Sequence, residues 1–304
     1  MEGIKFMATQ MRFIVSPVVI GSSKGIRQAL EVCARAAGDN GPVLFQGELG
    51  TGKFLLATML HWQSFGAGKP FLLVDCTEID CLKAQFLSPG NATVEKVAAA
   101  GGSVYFHEVA CLSVDDQARL HEFCSAVAAA GVKVMLGSSQ NIHLLLYERA
   151  FDSDLYDFAA SREIALPPLR QRAEDILQLA AYFIRNLNQR LRKSVQSLTP
   201  QVEKLFMTYR WPGNVAELQQ VLTRAVILAD EPYISRLHLT EYLGQIGDDG
   251  QTAPDIMPLE HMEEIMLRNA LHRFGHSLEG KKKAARALNI SLATLYNKIR
   301  RYNL

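Results

Sequence analysis

The chain has 304 residues, about two domains by the usual length relation, and 48% of them are hydrophobic, which supplies a substantial core and excludes a disordered chain. The 32 Lys and Arg residues nearly balance the 31 Asp and Glu residues. The formal net charge of +1 therefore excludes a strongly basic or acidic protein, so that any nucleic-acid surface must be local.

The N-terminal segment carries no targeting signal. Its first 16 residues lack the charged and apolar regions of a signal peptide, and the longest apolar runs are far shorter than the roughly 18 residues that cross a bilayer. The five cysteines form no CxxC pair. We therefore expect a cytoplasmic protein with no membrane partner, in which residues 1–17 are a short or frayed extension without room for a sensory domain.

Residues 18–166 alternate short apolar runs with amphipathic helical stretches. This alternation predicts βαβ units on a largely parallel sheet with helices on both faces, as in an α/β nucleotide-binding domain. The predicted strands are Val43–Phe45, Phe71–Val74, Ser103–Phe106, Val132–Leu136 and Glu163–Leu166.

A phosphate-binding loop follows the first of these strands. Its G-x4-G-K spacing, placed between a strand and a helical stretch, lets backbone N–H groups converge on phosphates, and Lys53 adds a point charge. The next residue usually offers a hydroxyl to magnesium, but Phe54 stands there. The predicted loop contacts are Gly47, Glu48, Leu49, Gly50, Thr51, Gly52, Lys53 and Phe54.

The strand that should carry a metal-binding aspartate ends instead in His107–Glu108. Imidazole is a poor magnesium ligand, so the sequence does not favour magnesium as a cofactor. Glu108 is the residual catalytic candidate, and a retained structural acid is an equally good interpretation. A zinc site of His107, Cys111, His121 and Cys124 fits no standard spacing, and we predict no metal site.

The strand pattern ends at residue 166, and helical periodicity takes over. Thr199–Pro200 predicts an N-cap followed by proline at the first helical position, and Asn214 with Glu217 predicts a start similar to a capping box. Residues 167–246 are therefore predicted to form an all-helical module. Residues 247–258, with their glycines and prolines, are predicted to be a linker.

Residues 259–304 carry nine basic and four acidic residues, a local charge of +5 on an otherwise near-neutral chain. Apolar positions predict three helices, within 262–274, 284–288 and 292–299, and Ser291 can cap the last one. This pattern is typical of a helix-turn-helix unit whose last helix enters the major groove of DNA.

The ordered motifs resemble those of one family. Over residues 19–229 the chain resembles the AAA+ domain of bacterial enhancer-binding proteins, the activators of sigma-54 RNA polymerase, and its C-terminal segment resembles their Fis-type DNA-binding domain. The resemblance implies an AAA+ parallel sheet with a helical lid, then a small all-α domain, and nominates Ile20 and Gly21 for the adenine side. The matching motifs are Gly47–Lys53, Gly101–Glu108, Leu166–Arg172, Trp211–Val215 and Thr294–Tyr302.

The resemblance also implies the DNA contacts. The family's first helices dimerise, which implies a palindromic site with half-sites about one helical turn apart. Tyr296 is expected to pack against the core. The residues nominated for base edges or nearby phosphates are Ser291, Thr294, Asn297 and Lys298, and those nominated for the DNA backbone are Lys281, Lys282, Arg300 and Arg301. Lys283 and Arg286 are nominated as further DNA-binding residues.

Several residues that the family uses for hydrolysis and coupling are replaced. An arginine finger is worth several powers of ten in rate, so its loss is severe. The remodelling loop that touches the sigma factor, expected between Phe86 and Gly101, is absent. The replaced positions are Asp152 and Phe158 for the arginine fingers, Ala216 for a sensor arginine, Ser139 (with Asn141 nearby) for a sensor asparagine, and Asp75 for a switch asparagine.

These departures predict a sequence-specific transcription regulator rather than an enzyme. It binds double-stranded DNA, works with RNA polymerase as a homodimer or higher homo-oligomer, and carries a degenerate AAA+ domain. That domain binds ATP or another nucleotide, with a cyclic dinucleotide left open, but neither hydrolyses it efficiently nor activates sigma-54 polymerase. The alternatives are an active AAA+ ATPase that remodels polymerase or another partner, and an architectural DNA-bending protein.

Overall fold

The computed structural model describes residues 9–11, 17–66, 68–78, 99, 101–239, 267, 274–275, 278–287, 292, 295–296 and 298–299. The chain divides into two compact units, Met1–Glu241 and Tyr242–Leu304. Across the described ranges, no helix has the length and apolar character needed to cross a membrane.

A six-stranded sheet forms the centre of the first unit, with the strand order β1-β3-β4-β5-β2-β6. The four pairings among β2, β3, β4, β5 and β6 are parallel, which confirms the predicted α/β class. The strands are β1 Thr9–Met11, β2 Val43–Gln46, β3 Phe71–Asp75, β4 Ser103–His107, β5 Lys133–Ser138 and β6 Glu163–Ala165.

Both faces of this sheet are buried. Leu44 and Phe106 belong to one core cluster, whereas their chain neighbours Phe45 and Tyr105 belong to the other. A strand that is covered on both faces needs apolar residues at every position, which is why these strands read as continuous apolar runs. The helices that cover them are α1 Lys24–Ala36, α2 Lys53–Phe65, α3 Val114–Ala129, α4 Ile142–Tyr147 and α5 Ser153–Ala160.

The interpretation of residues 1–17 as a mere extension was wrong for one short stretch. Thr9–Met11 forms the edge strand β1 and pairs antiparallel with β3, with Gln10 opposite Leu72. A strand of three residues is too short to show the period-two alternation by which strands are recognised.

A helical layer follows the sheet in the first unit. It consists of α6 Ala173–Leu191, α7 Pro200–Thr208 and α8 Asn214–Leu228, with 3-10 turns at Leu169–Gln171 and Arg236–Leu239. The prediction of an all-helical module was wrong in one detail, because β7 Ser197–Leu198 pairs in parallel with β8 Tyr233–Ile234. Strands of two residues leave no periodic pattern in the sequence.

The two predicted helix starts had different outcomes. Thr199 is the N-cap of α7 with Pro200 at the first helical position, as predicted. Asn214 is not a cap: Gly213 occupies the N-cap position, and Asn214 is the first residue of α8 with φ +53°. Glu217, one position beyond that of a capping-box acid, still bonds the helix start, because the Gly213 N–H donates to its Oε2 at 2.8 Å.

The second unit contains α9, Leu278–Ala287. Leu267, Ala285 and Leu295 are buried together, and Phe274, Leu292 and Ile299 pack against them. Leu267 and Phe274 fall in the first predicted helical stretch, Ala285 in the second, and Leu292, Leu295 and Ile299 in the third. The predicted linker 247–258 and the predicted cap Ser291 lie outside the described residues, and the domain boundaries stay predictions.

Candidate functional site

The phosphate loop joins the end of β2 to the start of α2. Gly50 lies in this loop with φ +75°, and a Cβ there would overlap the carbonyl oxygen of Gly213. Glycine is the residue that adopts this conformation without strain and leaves room for so close an approach. This contact sets the loop against Gly213, the residue before α8. The loop itself leads into the N-terminus of α2, the arrangement that binds phosphates.

Lys53 is the charged group of the loop, and its side chain is only 4% exposed. Its ammonium donates to the Gly47 carbonyl oxygen at 2.7 Å and to the Glu48 carbonyl oxygen at 3.3 Å. Glu108 Oε1 lies 3.2 Å from the same nitrogen. Burial lowers the pKa of Lys53, and the facing Glu108 carboxylate opposes that shift. A bound phosphate would replace these partners of Lys53.

Glu108 is buried at the end of β4 in a left-handed backbone conformation, with φ +57°. Its Oε2 accepts from the Ser139 N–H at 2.8 Å and from the Ser139 hydroxyl at 2.6 Å. Asn141, the neighbouring sensor candidate, instead caps α4 by accepting from the Leu144 N–H at 3.2 Å. Of the two positions, Ser139 is the one that reaches the acid.

The two positions at which a metal contact was expected have other surroundings here. The Phe54 ring packs against Phe71 and Tyr105, with centroids 5.9 and 6.1 Å away. The His107 side chain is 32% exposed, and its Nε2 lies 4.0 Å from Glu108 Oε1. Asp75, the switch position, accepts from the N–H and hydroxyl of Thr77.

The zinc alternative gains no support. In the described part of the chain, no group of three or more His, Cys, Asp or Glu side chains is placed to hold a metal ion. Cys124 is fully buried, which raises the pKa of its thiol, and the His121 ring packs edge-on against Phe158.

Both arginine-finger positions have structural roles. Asp152 is the N-cap of α5, and its carboxylate accepts from the Leu155 N–H at 2.8 Å. Its own N–H donates to Gln117 Oε1 at 2.8 Å. Phe158 packs against the core that α3 covers. Neither side chain supplies a positive charge.

The helical layer is bonded to the phosphate loop through side chains. Arg170 forms a bidentate pair with Glu48, at 2.8 and 2.6 Å, which lowers the pKa of that carboxyl. The Asn214 amide donates to Glu48 Oε2 at 3.2 Å and to the Leu49 carbonyl at 2.8 Å, and its oxygen accepts from the Leu169 N–H at 2.7 Å. Arg172 donates to the Thr51 carbonyl at 3.0 Å.

The same contact continues through the backbone. The Gly50 carbonyl oxygen accepts from the N–H groups of Val215 and Ala216, at 3.0 and 3.3 Å, in the first turn of α8. We call this set of bonds between loop residues 48–51 and residues 170, 172 and 214–216 the loop–lid clasp. Sequence reasoning missed it because its partners lie more than a hundred positions apart.

Asp175, a buried carboxylate in the first turn of α6, fixes the segment before α1. Asp175 accepts from the N–H groups of Ser22 and Ser23, at 2.6 and 3.0 Å, and from the Ser23 hydroxyl at 2.6 Å. Gly21 has φ +143°, and a Cβ there would lie 2.7 Å from Asp175 Oδ2. Gly21 is therefore needed for this close approach, whatever it does for a ligand.

A cavity of about 720 Å³ lies between the loop, the end of β4, α6 and the start of α8. This volume is in the range of small-molecule sites. Of the nominated loop residues, Leu49, Gly50, Gly52, Lys53 and Phe54 line it; Ile20 and Gly21 are not among its lining residues. Sequence reasoning missed the lining residues of α6, for which the amphipathic pattern gave no sign of a ligand. They are Tyr182, Phe183, Asn186, Leu187, Gln189 and Arg190.

The second unit presents part of the nominated DNA surface. Lys282 and Lys283 are exposed on α9, and the Lys281 ammonium lies 5.1 Å from the centre of the Tyr296 ring. Tyr296 is 41% exposed, so its expected packing against the core is replaced by this contact at the surface. Arg286 is in α9 and Lys298 is helical. The other nominated residues, Ser291, Thr294, Asn297, Arg300 and Arg301, lie outside the described residues.

A glycine-rich loop at a helix N-terminus, a parallel sheet and a clasped helical lid define a P-loop nucleotide-binding domain of the AAA+ type. Family profiles agree along the chain. Residues 20–169 match the sigma-54 interaction domain, residues 170–255 the AAA+ ATPase lid domain, and residues 258–302 the Fis family of bacterial regulatory proteins.

Curated relatives give the same assignment. The transcriptional regulatory protein ZraR of Salmonella typhi is 32% identical over 93% of this chain and 68% of its own length. The luminescence regulatory protein LuxO of Vibrio campbellii is 28% identical over 93% of this chain and 69% of its own. The chain therefore belongs to the family of sigma-54-dependent transcriptional regulators with a Fis-type helix-turn-helix domain, and its partners as a member are DNA and RNA polymerase.

Solved structures show the same fold. NtrX from Brucella abortus in complex with ADP aligns with a TM-score of 0.65 and 21% identity, over 95% of this chain and 70% of that one. The replication initiator DnaA bound to AMPPCP and single-stranded DNA aligns with a TM-score of 0.52 and 13% identity, over 92% and 88%. The predicted AAA+ sheet with its lid and the Fis-type domain is confirmed.

Proposed function

We propose that this member binds a nucleotide in the cavity beside Lys53 but neither hydrolyses it efficiently nor activates sigma-54 polymerase. Support for binding comes from the intact loop, the buried Lys53 and the cavity volume. NtrX, which shares the fold, has been solved with ADP and with ATP. ATP and ADP are therefore the first ligands to test.

The observation that carries the loss of hydrolysis is the role of Asp152. An arginine finger delivers positive charge to the transferred phosphoryl group of a neighbouring subunit. The carboxylate at this position is bonded to the N-terminus of α5, so it brings the opposite charge and has a structural partner. Phe158, at the second finger position, is apolar and packed.

One observation favours the alternative of a working ATPase. Glu108 is held by Ser139 and faces Lys53 across 3.2 Å, which is where a base that activates water would stand. If this carboxylate acts as a base, the protein turns over ATP and remodels a partner.

One experiment on the purified full chain distinguishes nucleotide binding without hydrolysis from a working ATPase. ATP binding is measured by calorimetry and phosphate release is measured with ATP and magnesium. We expect binding without turnover above the background. Lys53→Ala should abolish binding, because it removes the buried cation of the loop, while Lys204→Ala, an exposed lysine of α7, should leave it unchanged. Turnover that Lys53→Ala abolishes would establish the ATPase instead.

The DNA-binding half of the proposal is that residues 259–304 dimerise on a palindromic site. The basic residues of α9 and of the last helix contact phosphates, and Ser291, Thr294 and Asn297 contact base edges. The local excess of positive charge and the exposed Lys282 and Lys283 support this assignment. The protein then acts on transcription by occupancy of DNA, with RNA polymerase as its partner.

A further inference from the structure

We propose that the cavity takes its nucleotide as the metal-free phosphate anion, with a ring N–H of His107 donating to a phosphate oxygen where related proteins would place magnesium. The inference rests on the proposed nucleotide binding and adds the form of the ligand and the residue that recognises it.

Magnesium needs hard oxygen ligands in octahedral geometry, and it usually takes one or two carboxylates from the protein. The position after the loop lysine is Phe54, whose ring packs against Phe71 and Tyr105 and offers no oxygen. The position at the end of β4 is His107, which offers nitrogen. The residues at both metal positions therefore do not fit magnesium.

The nearby carboxylates have other partners. Glu108 faces Lys53 with one oxygen and accepts twice from Ser139 with the other. Glu48 is bonded to Arg170 and Asn214. Asp75 lies opposite His107 on the adjacent strand, and its Oδ1 accepts twice from Thr77. As far as the described residues go, no carboxylate lines the cavity.

The cavity presents donors and cations instead. Lys53, His107 and Arg190 line it, from the loop, from β4 and from α6. A nucleoside triphosphate carries several negative charges that magnesium would otherwise screen. Because no carboxylate of the described residues lines the cavity, these three side chains and the loop N–H groups can bond directly to the phosphate oxygens of the metal-free nucleotide. A magnesium ion there would add positive charge next to the Lys53 and Arg190 cations.

The position of His107 suits a phosphate oxygen. Glu108 Oε1 lies 4.0 Å from His107 Nε2 and 3.2 Å from Lys53 Nζ, so the His107 and Lys53 nitrogens lie near the same oxygen atom. Both side chains also line the cavity, so phosphate oxygens bound there can accept from Lys53 and from His107 while Glu108 keeps its bonds to Ser139. Because a hydrogen bond to a charged group contributes to affinity, loss of the His107 contact should weaken binding by about ten- to a hundredfold.

The test measures ATP affinity by calorimetry on the full chain, in EDTA and in excess magnesium chloride. We expect ATP to bind in EDTA at least as tightly as with magnesium. His107→Asp restores the family's acid, so it should lose affinity in EDTA by about tenfold or more and regain it when magnesium is added. His143→Asp, at an exposed histidine outside the cavity, should behave as the wild type.

A second variant covers a failure of His107→Asp to fold. His107→Phe keeps a planar ring but has no N–H donor and no charge, so it should weaken ATP binding in EDTA without gaining a response to magnesium. Wild-type binding that needs magnesium would overturn the inference while leaving the proposed nucleotide binding intact. If ATP and ADP bind under neither condition, the proposed function itself fails, and the inference with it.

Discussion

Lys133, at the start of β5, shows how a charged side chain can be fully buried in this fold. Its ammonium donates to the carbonyl oxygen of Ala36, the last residue of α1, at 2.6 Å, and to that of Asp39 in the turn that follows. The last carbonyls of a helix lack intrahelical partners, and a lysine is a favourable donor to them. Burial nevertheless lowers the pKa of Lys133 to about 8, with Asp39 opposing the shift.

This shift predicts a pH dependence of stability. The folded pKa of about 8 lies below the usual value of 10.5, so the unfolded chain binds more protons between these two values. The free energy of unfolding should therefore rise with pH across this window, by up to about 3 kcal/mol, relative to Lys133→Met. Urea denaturation of both proteins at several pH values measures the difference. A pH-independent difference would contradict the burial argument.

At the scale of single elements, the N-cap residue of α5 stands at a position where the family has a catalytic arginine. Asp152 accepts from the Leu155 N–H, and its negative charge lies at the positive end of the helix dipole. An arginine at this position would remove the cap and introduce an unfavourable charge.

Restoring the family's arginine should therefore destabilise the protein without restoring ATP hydrolysis. Asp152→Arg should lower the free energy of unfolding by about 1 kcal/mol, whereas Asp152→Asn, which keeps a capping oxygen, should change it little. Thermal and urea denaturation measure the stability, and phosphate release measures turnover. A stable Asp152→Arg protein that hydrolyses ATP would contradict both expectations.

The elements were predictable where the signal is local. The strands from Val43, Phe71 and Ser103 begin where the apolar runs begin, and α7 starts at Thr199–Pro200 as the capping rule predicts. Asn214 was misread because its amide has two uses: a cap for its own helix, or a link to the loop and to Leu169. Only the tertiary contact decides between them.

At the scale of the whole molecule, the candidate site was predictable only on its loop side. The G-x4-G-K spacing identified Lys53, because one short segment builds that half of the cavity. The other half comes from α6 and the start of α8, and the partners of Glu48 and Glu108 come from distant parts of the chain. A single sequence does not state which helices meet across a cleft.

The basic C-terminal unit gives a prediction for the full chain on DNA. Lys282 is exposed on α9, and we expect it to contact a phosphate. Lys282→Ala should weaken binding to selected and random duplexes by a similar factor, and should reduce the slope of affinity against salt by about one. Fluorescence anisotropy at several salt concentrations measures both, with Lys204→Ala as the control. A loss confined to the selected duplex would instead indicate a base contact.

The Gly50 carbonyl belongs to the phosphate loop, yet it is the acceptor for two amide groups at the start of α8. Rotation of that one peptide plane would leave both amides without an acceptor, so the loop conformation and the lid orientation are thermodynamically linked. Linkage is reciprocal, so a ligand that favours one loop conformation also favours the lid orientation compatible with it. A regulator of this design can transmit the filling of its cleft to the lid through binding alone, with no chemical step.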